Sequence, residues 1–142
     1  MHVRRWRGLH GVAGELRRVP LLDSVPDREL ARLAKAGTRR RFAEGEVIVA
    51  EGEAGSAFYV LLSGCAAVSV DGELIGGLHG GDTFGEIGAL GDRTRTATVV
   101  AATDAECFVL ASWHFRGFLS THSGVAFALA RRLAGLASRH AA

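Results

Sequence analysis

The residues whose types and spacing could do chemistry lie together between positions 84 and 98, in the segment FGEIGALGDRTRTAT. This segment contains a short glycine-bearing turn, the acidic residue Glu86 and the basic residue Arg95. Backbone N–H groups in such a turn can bind an anion, and a guanidinium can donate two parallel hydrogen bonds to a phosphate. A carboxylate can accept hydrogen bonds from the hydroxyl groups of a ribose. The segment therefore predicts a pocket for a sugar phosphate.

The distribution of charge supports a local role for the arginines of this segment. Residues 42–106 contain eleven Asp or Glu side chains and only two basic ones, Arg93 and Arg95, for a net charge of −9. A surface built only for solubility mixes both signs, so a lone pair of arginines in an acidic region indicates a local role for them. The alternative is that the two arginines only balance Asp92 and Glu86 within a loop.

Length and composition indicate one globular domain. The chain has 142 residues and is 48% hydrophobic, and nineteen glycines with two prolines predict many tight turns between short strands. Residues 1–18 lack the apolar run of a signal peptide, and no segment reaches transmembrane length, so we expect a cytoplasmic protein. Cys65 and Cys107 have no metal-binding spacing. We interpret both as reduced core residues, with a buried disulfide as the alternative.

Helices are predicted before the glycine-rich middle of the chain. Apolar residues at helical spacing predict a basic helical extension over residues 1–19, although its glycines lower the helix propensity. A second helix is expected to have Ser24 as its N-cap, with Pro26 in its first turn. We expect this helix to end at Gly37, in the left-handed conformation that favours glycine.

The middle of the chain has the pattern of short antiparallel strands. Asp71-Gly72, between two such runs, predicts a two-residue hairpin. The apolar or β-branched runs that we expect to form strands are residues 47–50, 57–62, 65–70, 74–78, 96–101 and 107–111.

Two helices are predicted after the strands. Ser112 is the candidate N-cap of a helix over residues 113–120, and a second, amphipathic helix is expected over residues 125–139. The expected fold is therefore mainly β: an antiparallel, jelly-roll-like β-roll over about residues 42–111, preceded by one or two helices and followed by two.

The order of these motifs resembles the cyclic nucleotide-binding domain, a module of kinase regulatory subunits, cyclic-nucleotide-gated channels and the catabolite activator protein. The spacing between the glutamate and the Arg-Thr-Ala triplet makes the resemblance specific. It extends from about Pro20 to Arg139 and predicts such a domain over residues 20–142, without a DNA-binding domain. The residues that carry it are Gly45-Glu46, Glu51-Gly52-Glu53, the aromatic strand and turn at 58–64, Phe84-Gly85-Glu86 and Arg95-Thr96-Ala97.

The resemblance implies a phosphate-binding cassette from Gly85 to Ala97. Glu86 would bind the ribose 2′-hydroxyl, and Arg95 would pair with the cyclic phosphate. The N–H groups of Gly85, Ile87 and Ala97 would complete the anion site. A cyclic nucleotide monophosphate is the expected ligand, and no cofactor or metal is expected.

The resemblance also suggests which residues would contact the base. Thr96 would hydrogen-bond a phosphate oxygen or the amino group of a syn guanine, which leaves cAMP and cGMP both open, with cAMP preferred. The last helix would cover the base. Leu133, Leu136 and Arg139 are the candidates, and Leu136 and Arg139 are the residues we expect to bind. The alternative is that this face of the helix only packs on the β-roll.

The chain departs from the family pattern at two positions. Ser56 stands where an aspartate is common before the aromatic strand, and Gly88 stands where many members have alanine. Neither residue is expected to touch the ligand, so these departures bear on the geometry of the turns.

The expected function is that of a sensor, in which nucleotide binding would shift the position of the C-terminal helices. The basic N-terminal helix is the candidate surface for a protein effector or a second subunit. Its charge would also suit nucleic acid, but that partner is less favoured because no helix-turn-helix is expected. Two alternatives stay open: the sensor part of a transcription regulator of the catabolite activator type, and a ligand-free interaction module with the same fold.

A cupin-like metalloenzyme is the competing enzyme hypothesis, because it would share the β-roll. Such an enzyme needs clustered metal ligands, whereas His79 is the only histidine within the predicted roll. The sequence therefore favours a binding domain without catalytic activity.

Overall fold

The computed structural model of the chain describes residues 11–90 and 94–141, except for the side chains of residue 87 and residues 136–141. Part of the predicted N-terminal helix, residues 1–10, lies outside this range. The helices are α1 (Gly11–Leu16), α2 (Asp27–Ala36), α3 (Glu86–Leu90), α4 (Ser112–Thr121) and α5 (Ser123–Ala141), with a 3₁₀ turn at Pro20–Leu22. The strands are β1 (Thr38–Phe42), β2 (Val47–Val49), β3 (Phe58–Ser63), β4 (Cys65–Val70), β5 (Glu73–His79), β6 (Thr83–Phe84), β7 (Thr98–Ala101) and β8 (Ala105–Leu110).

The strands pair into two four-stranded antiparallel sheets, one with the order β1-β8-β3-β6 and the other with the order β2-β7-β4-β5. The hairpin predicted at Asp71-Gly72 joins β4 to β5, and both turn residues have positive φ, 53° and 78°. Positive φ at both central residues is what a type I′ hairpin turn requires. The predicted fold class, a mainly β fold with an antiparallel β-roll between flanking helices, is confirmed.

Strands β3 and β8 contribute to two separate cores, which explains why their sequences are almost continuous apolar runs. Successive side chains of a strand point to opposite faces. Phe58 and Val60 of β3 therefore pack against the helices, whereas Tyr59 and Leu61 pack inside the roll. The helix-side core also contains Leu16, Leu30, Leu33, Phe108, Leu110, Phe115, Val125 and Leu129. Helices from both ends of the chain thus share one core on one face of the roll.

Helix α1 packs into this helix-side core although it contains two glycines. Leu16 is completely buried, and Glu15 forms an ion pair with Arg39 of β1. Arg39 also donates a hydrogen bond of 2.5 Å to Glu106 of β8, and this bond holds the pKa of the Glu106 carboxyl below its usual value. The first described helix is therefore attached to the roll by both apolar and charged contacts. The domain boundary after residue 19 remains a prediction.

The ends of α2 differ from those predicted. The helix begins at Asp27, Pro26 occupies the N-cap position, and no side chain caps the N-terminus, so Ser24 is not the N-cap. Gly37 has extended backbone angles, φ −110° and ψ −176°, and not the left-handed conformation. A Cβ atom at Gly37 would lie 2.4 Å from Cζ of Phe108. Glycine at this position therefore serves close packing against a core ring.

The sequence pattern did not predict strands β1 and β6. Strand β1 has the sequence TRRRF, in which arginines stand where the alternating pattern of a strand would have apolar residues. Arg39 and Arg41 pair with Glu106 of the neighbouring strand, and Arg40 lies over the ring of Phe42, 5.2 Å from its centroid. The strand lies at the edge of its sheet, where charged side chains discourage pairing with another chain. Strand β6 has only two residues and is too short for a pattern.

The C-terminal helices agree with the prediction to within two residues at each end. Helix α4 begins at Ser112, so the N-cap position belongs to Ala111. Val125 and Leu129 of α5 lie in the helix-side core, and Leu133 packs against it. The apolar face predicted for the last helix is therefore the face that packs on the roll.

The two cysteines lie in different environments. Both are free thiols, which leaves no disulfide between them. Cys65 is exposed at the start of β4, so its interpretation as a core residue is wrong. Cys107 is buried inside the roll, and burial raises the pKa of its thiol to about 12.

We expect a thiol-specific reagent to modify one cysteine in the folded protein at about pH 8, because the thiolate is the reactive form. Cys65 should react, whereas Cys107 should react only after unfolding in denaturant. The measurement is the number of thiols titrated with and without denaturant. Cys65→Ser should remove the reaction of the folded protein, and two fast-reacting thiols in the native state would contradict this assignment.

Candidate functional site

A cavity of about 440 Å³ lies between the β-roll and helix α5. Part of its lining is apolar and comes from the sheet that contains β4 and β5, and the rest is polar. The apolar residues on the roll are Val49, Val68, Ile75, Leu78 and Val99, and the polar residues include Thr83, Glu86, Arg95, Thr96 and Arg132. Such a cavity suits a ligand that has one flat apolar part and one charged part.

Arg95 is held firmly at the edge of this cavity. Its backbone N–H donates to the carbonyl of Glu53 at 2.8 Å, and its carbonyl accepts from the N–H of Gly52 at 2.9 Å. The residue is only 8% exposed, and in its side chain Nη2 donates to the carbonyl of Ala57 at 3.0 Å and Nη1 to that of Gly85 at 3.4 Å. The Glu51-Gly52-Glu53 turn found in the sequence therefore positions the arginine.

The counter-charge of Arg95 is not Glu86, as one interpretation of the sequence would have it. Within residues 11–90 and 94–141, no carboxylate oxygen lies within the 4.0 Å limit of an ion pair with its guanidinium. Carbonyl oxygens carry only partial charge, so the cation keeps most of its attraction for an anion in the cavity. Asp92 and Arg93 lie outside the described residues.

Glu86 is also buried, with 7% of its surface exposed, and it is the first residue of the short helix α3. Its Oε2 atom accepts a hydrogen bond from the Thr83 hydroxyl at 2.8 Å and lies 3.4 Å from Nη1 of Arg132. Arg132 also donates to Thr83, through Nη1 to the hydroxyl and through Nη2 to the carbonyl at 3.0 Å. Both described contacts of the carboxylate thus involve Oε2. Among the described contacts, Oε1 therefore has no partner.

Arg132 is the functional candidate that sequence reasoning missed, because no motif distinguishes it from the other arginines of the last helix. Residues three and four positions apart share one face of a helix, so Arg132 and Leu133 both lie on the face of Leu129. Leu133, a candidate that was not among the residues expected to bind, lines the cavity. The spacing from the buried Leu129 was the signal that could have identified Arg132.

The structure brings three of the other six predicted site residues to the cavity. Gly85, Thr96 and Ala97 line it, and Gly85 has a positive φ of 81° that favours glycine. Thr96 precedes strand β7, which begins at Thr98 and not at residue 96 as predicted. Gly88 also lines the cavity, although it was expected to bear only on turn geometry.

Three predicted ligand-binding residues are not tested by these contacts. Ile87 lies in α3, and Leu136 and Arg139 lie in α5, but their side chains are outside the described part of the structure. Their roles stay predictions.

Within the described residues, no group of three or more His, Cys, Asp or Glu side chains could hold a metal ion. Over the same part of the chain, no helix combines the length and apolar character needed to span a membrane.

Known proteins share this sequence pattern and this fold. The family described as cyclic nucleotide-binding domain matches residues 39–122. A cAMP-dependent protein kinase regulatory subunit of Hypocrea atroviridis is 36% identical over 110 residues, which cover 78% of this chain and 24% of that protein. The chain therefore spans about a quarter of the length of this relative.

Solved structures agree with this match. The structure titled "cAMP bound PfPKA-R" superposes with a TM-score of 0.81 at 28% identity, over 87% of this chain and 43% of the other. A regulatory subunit of a cAMP-independent protein kinase A from Trypanosoma cruzi, bound to guanosine, has a TM-score of 0.70 at 29% identity, over 75% and 40%. The sequence match over more than half of the chain, the shared fold and the cavity place this chain in the cyclic nucleotide-binding domain family.

Proposed function

We propose that the cavity binds a cyclic nucleotide monophosphate, with cAMP preferred over cGMP, and that the domain is regulatory and not catalytic. The observation that carries the proposal is the buried guanidinium of Arg95, which lines a cavity also lined by the buried carboxylate of Glu86. A cyclic phosphate needs the first group and a ribose hydroxyl suits the second. The names of the matched relatives, regulatory subunits of cAMP-dependent kinases, support the same ligand.

Each part of the nucleotide has a proposed set of contacts. The phosphate would pair with Arg95 and with backbone N–H groups of Gly85, Ile87 and Ala97. The ribose 2′-hydroxyl would donate to Oε1 of Glu86, since Thr83 and Arg132 already engage Oε2.

The base would lie in the apolar part of the cavity, against the side chains contributed by the β-roll. Thr96 would be the polar group within reach of the base or phosphate. Leu136 and Arg139 would cover the base, as expected from the sequence, and Leu133 of α5, which lines the cavity, would join them.

We also propose that nucleotide binding shifts the position of the C-terminal helices. Arg132 connects α5 to the ribose-binding carboxylate, and Nη1 of Arg116 in α4 donates to the carbonyl of Ala89 in α3 at 3.4 Å. Ala89 and Phe115 are both buried in the core between these helices and the roll. A ligand that fixes α3 and Glu86 would therefore favour one arrangement of α4 and α5, by the roughly 1 to 3 kcal/mol typical of coupled sites.

The partner that would respond to this shift is a protein effector or a second subunit, and the basic N-terminal helix is the proposed contact surface. Its described part packs on the roll through Leu16 and through the ion pair of Glu15 with Arg39. A movement of the shared core could reach this helix, because the C-terminal helices pack into the same cluster.

Arg132→Ala should weaken cAMP binding about fivefold, roughly 1 kcal/mol, in a calorimetric titration. The side chain is about one third exposed, so the effect should be smaller than that of a fully buried ion pair. Without Arg132, the Glu86 carboxylate keeps only the Thr83 hydroxyl and loses its fixed orientation. Arg131→Ala is the matched control, because Arg131 is the exposed neighbour on the same helix. Equal losses in the two variants would contradict the positioning role of Arg132.

The function itself is tested by titrating the full chain with cAMP, cGMP, guanosine and adenosine. Binding of cAMP tighter than that of adenosine supports a site for the cyclic phosphate. Tighter binding of guanosine than of either cyclic nucleotide would indicate a nucleoside receptor instead. No heat and no thermal stabilisation with any of them at millimolar concentration would favour the ligand-free interaction module.

A further inference from the structure

An exposed cysteine and a histidine lie side by side on the outer face of the β-roll. Cys65 at the start of β4 pairs with His79 at the end of β5. The residues next to them, Ala66 and Leu78, pack inside the roll, so the side chains of Cys65 and His79 point outwards. Directly opposite residues of antiparallel strands have Cβ atoms about 4.5 to 5.5 Å apart. A thiol and an imidazole are therefore neighbours at the surface.

Asp82 orients the imidazole of this pair. Its Oδ2 atom lies 3.5 Å from Nδ1 of His79 and accepts a hydrogen bond of 2.9 Å from the backbone N–H of the same residue. An ionised carboxylate can only accept hydrogen bonds, so the neutral imidazole is favoured with its proton on Nδ1. Nε2 then has the lone pair that can take up a proton. Carboxylate, imidazole and thiol thus follow one another in the order that activates a nucleophile.

The turn between β7 and β8 holds the backbone of Cys65 in place. The N–H of Cys65 donates to Oγ1 of Thr103 at 3.0 Å, and its carbonyl accepts from the N–H of Ala102 at 2.9 Å. Gly64, the preceding residue, has a φ of 86°, and a Cβ atom there would lie 2.4 Å from the carbonyl oxygen of Asp104. These contacts fix the strand end that carries the thiol.

The turns around this pair are acidic. Residues 43–46, 79–82 and 102–104 contain four carboxylates and no lysine or arginine. Two of these turns are in direct contact, since the N–H of Glu44 donates to Oδ1 of Asp104 at 2.9 Å. Charges act over about 10 Å at moderate salt, so the surface attracts cations and repels anions. Within the three turns, a protonated His79 is the positive charge that can stabilise a thiolate.

We propose that Cys65, His79 and Asp82 form a thiol-modification site for small, positively charged disulfides. The Cys65 proton moves to Nε2 of His79, and the thiolate attacks one sulfur of the disulfide. A new S–S bond forms as the old one breaks, so the Cys65 sulfur is oxidised and the departing sulfur is reduced. The departing thiolate takes the proton from the imidazolium and leaves as a thiol. The three residues do not line the nucleotide cavity, so the proposal does not rest on the proposed function.

The test is the rate at which the full chain forms a mixed disulfide with cystamine at neutral pH and low salt, followed by intact mass and peptide mapping. We expect one adduct, at Cys65, which Cys65→Ser abolishes. General base catalysis contributes about 10² to 10⁴-fold in enzymes, and the His79 side chain is 77% exposed, so His79→Gln should slow the reaction only about tenfold. Asp82→Asn should slow it about threefold, because Asp82 only orients the base.

Two controls accompany these variants. His114→Gln should react at the rate of the unmodified chain, because His114 is exposed on helix α4 and has no place in the site. Cys107 is buried, so an adduct at Cys107 in any variant reports unfolding and not a change at the site.

The charge preference is tested with two further disulfides, neutral hydroxyethyl disulfide and anionic dithiodipropionate. Each rate is divided by that of N-acetylcysteine with the same reagent, which removes the intrinsic reactivity of the disulfide. The relative rate should be highest with cystamine and lowest with dithiodipropionate, and the difference should shrink in about 0.5 M salt.

Three results would overturn the proposal. An unchanged rate in His79→Gln, with Cys107 unmodified, removes the role of the histidine as base. Equal relative rates with the three disulfides remove the preference for cations. A rate with cystamine no higher than that of N-acetylcysteine makes Cys65 an ordinary exposed thiol.

Discussion

Arg95→Ala should weaken cAMP binding at least about thirtyfold in a calorimetric titration, which corresponds to about 2 kcal/mol. Arg95 is buried at the cavity, and no carboxylate of residues 11–90 and 94–141 forms an ion pair with it, so we expect a bound phosphate to act as its counter-charge. A hydrogen bond to a charged group contributes about 1.5 to 3 kcal/mol, and removing one side of a buried charged pair costs more. Glu86→Ala should cost less, because a carboxylate and a neutral hydroxyl attract each other more weakly.

The expected loss is specific to the charged part of the ligand. Arg95→Ala should reduce the affinity for adenosine much less than that for cAMP, since adenosine has no phosphate. Arg28→Ala serves as a control, because Arg28 is exposed on α2 and does not line the cavity. Equal cAMP affinity of the unmodified chain and Arg95→Ala would remove the basis of the assignment. A loss of the same size with Arg28→Ala would show that net charge alone governs binding.

The sequence predicted those residues of the site whose role follows from their type and does not depend on packing against distant elements. Glu86 and Arg95 are polar residues separated by glycines, and the structure brings both to one cavity, as their spacing indicated. The hairpin at Asp71-Gly72 was predicted for the same reason, because its positive φ angles require such residues. Local backbone requirements are visible in a sequence.

Other features depend on contacts between distant residues, which a sequence pattern does not contain. Gly37 was expected to end α2 in the left-handed conformation, yet its backbone is extended. A glycine fits there because Phe108 packs too closely to leave room for a Cβ atom. Strand β1 was missed because its arginines find their partner in Glu106, more than sixty positions away. Arg132 was missed because Thr83 and Glu86 are its partners. In each case the tertiary contact decides what the residue does.

Helix α5 connects the cavity to the helix-side core. Leu129 is buried in the helix-side core, and Arg132 and Leu133, three and four positions later, line the cavity. Side chains at this spacing lie on the same face of a helix, so the anchoring residue and the cavity residues move together. Stability of the packed helix and affinity for the nucleotide should therefore change in parallel.

Leu129→Ala should lower the free energy of unfolding by about 2 to 5 kcal/mol, the usual cost of emptying a buried leucine site. Leu129 is 2% exposed, whereas Phe127 on the same helix is 66% exposed, so Phe127→Ala is the control and should change stability by no more than about 0.5 kcal/mol. The measurement is urea denaturation of each variant.

Leu129→Ala should also weaken cAMP binding under conditions where it remains folded, because α5 then holds Arg132 and Leu133 less firmly. If its affinity for cAMP matched that of Phe127→Ala while its stability fell, the packing of α5 would be independent of the site, and the proposed movement of the C-terminal helices would lose its structural basis.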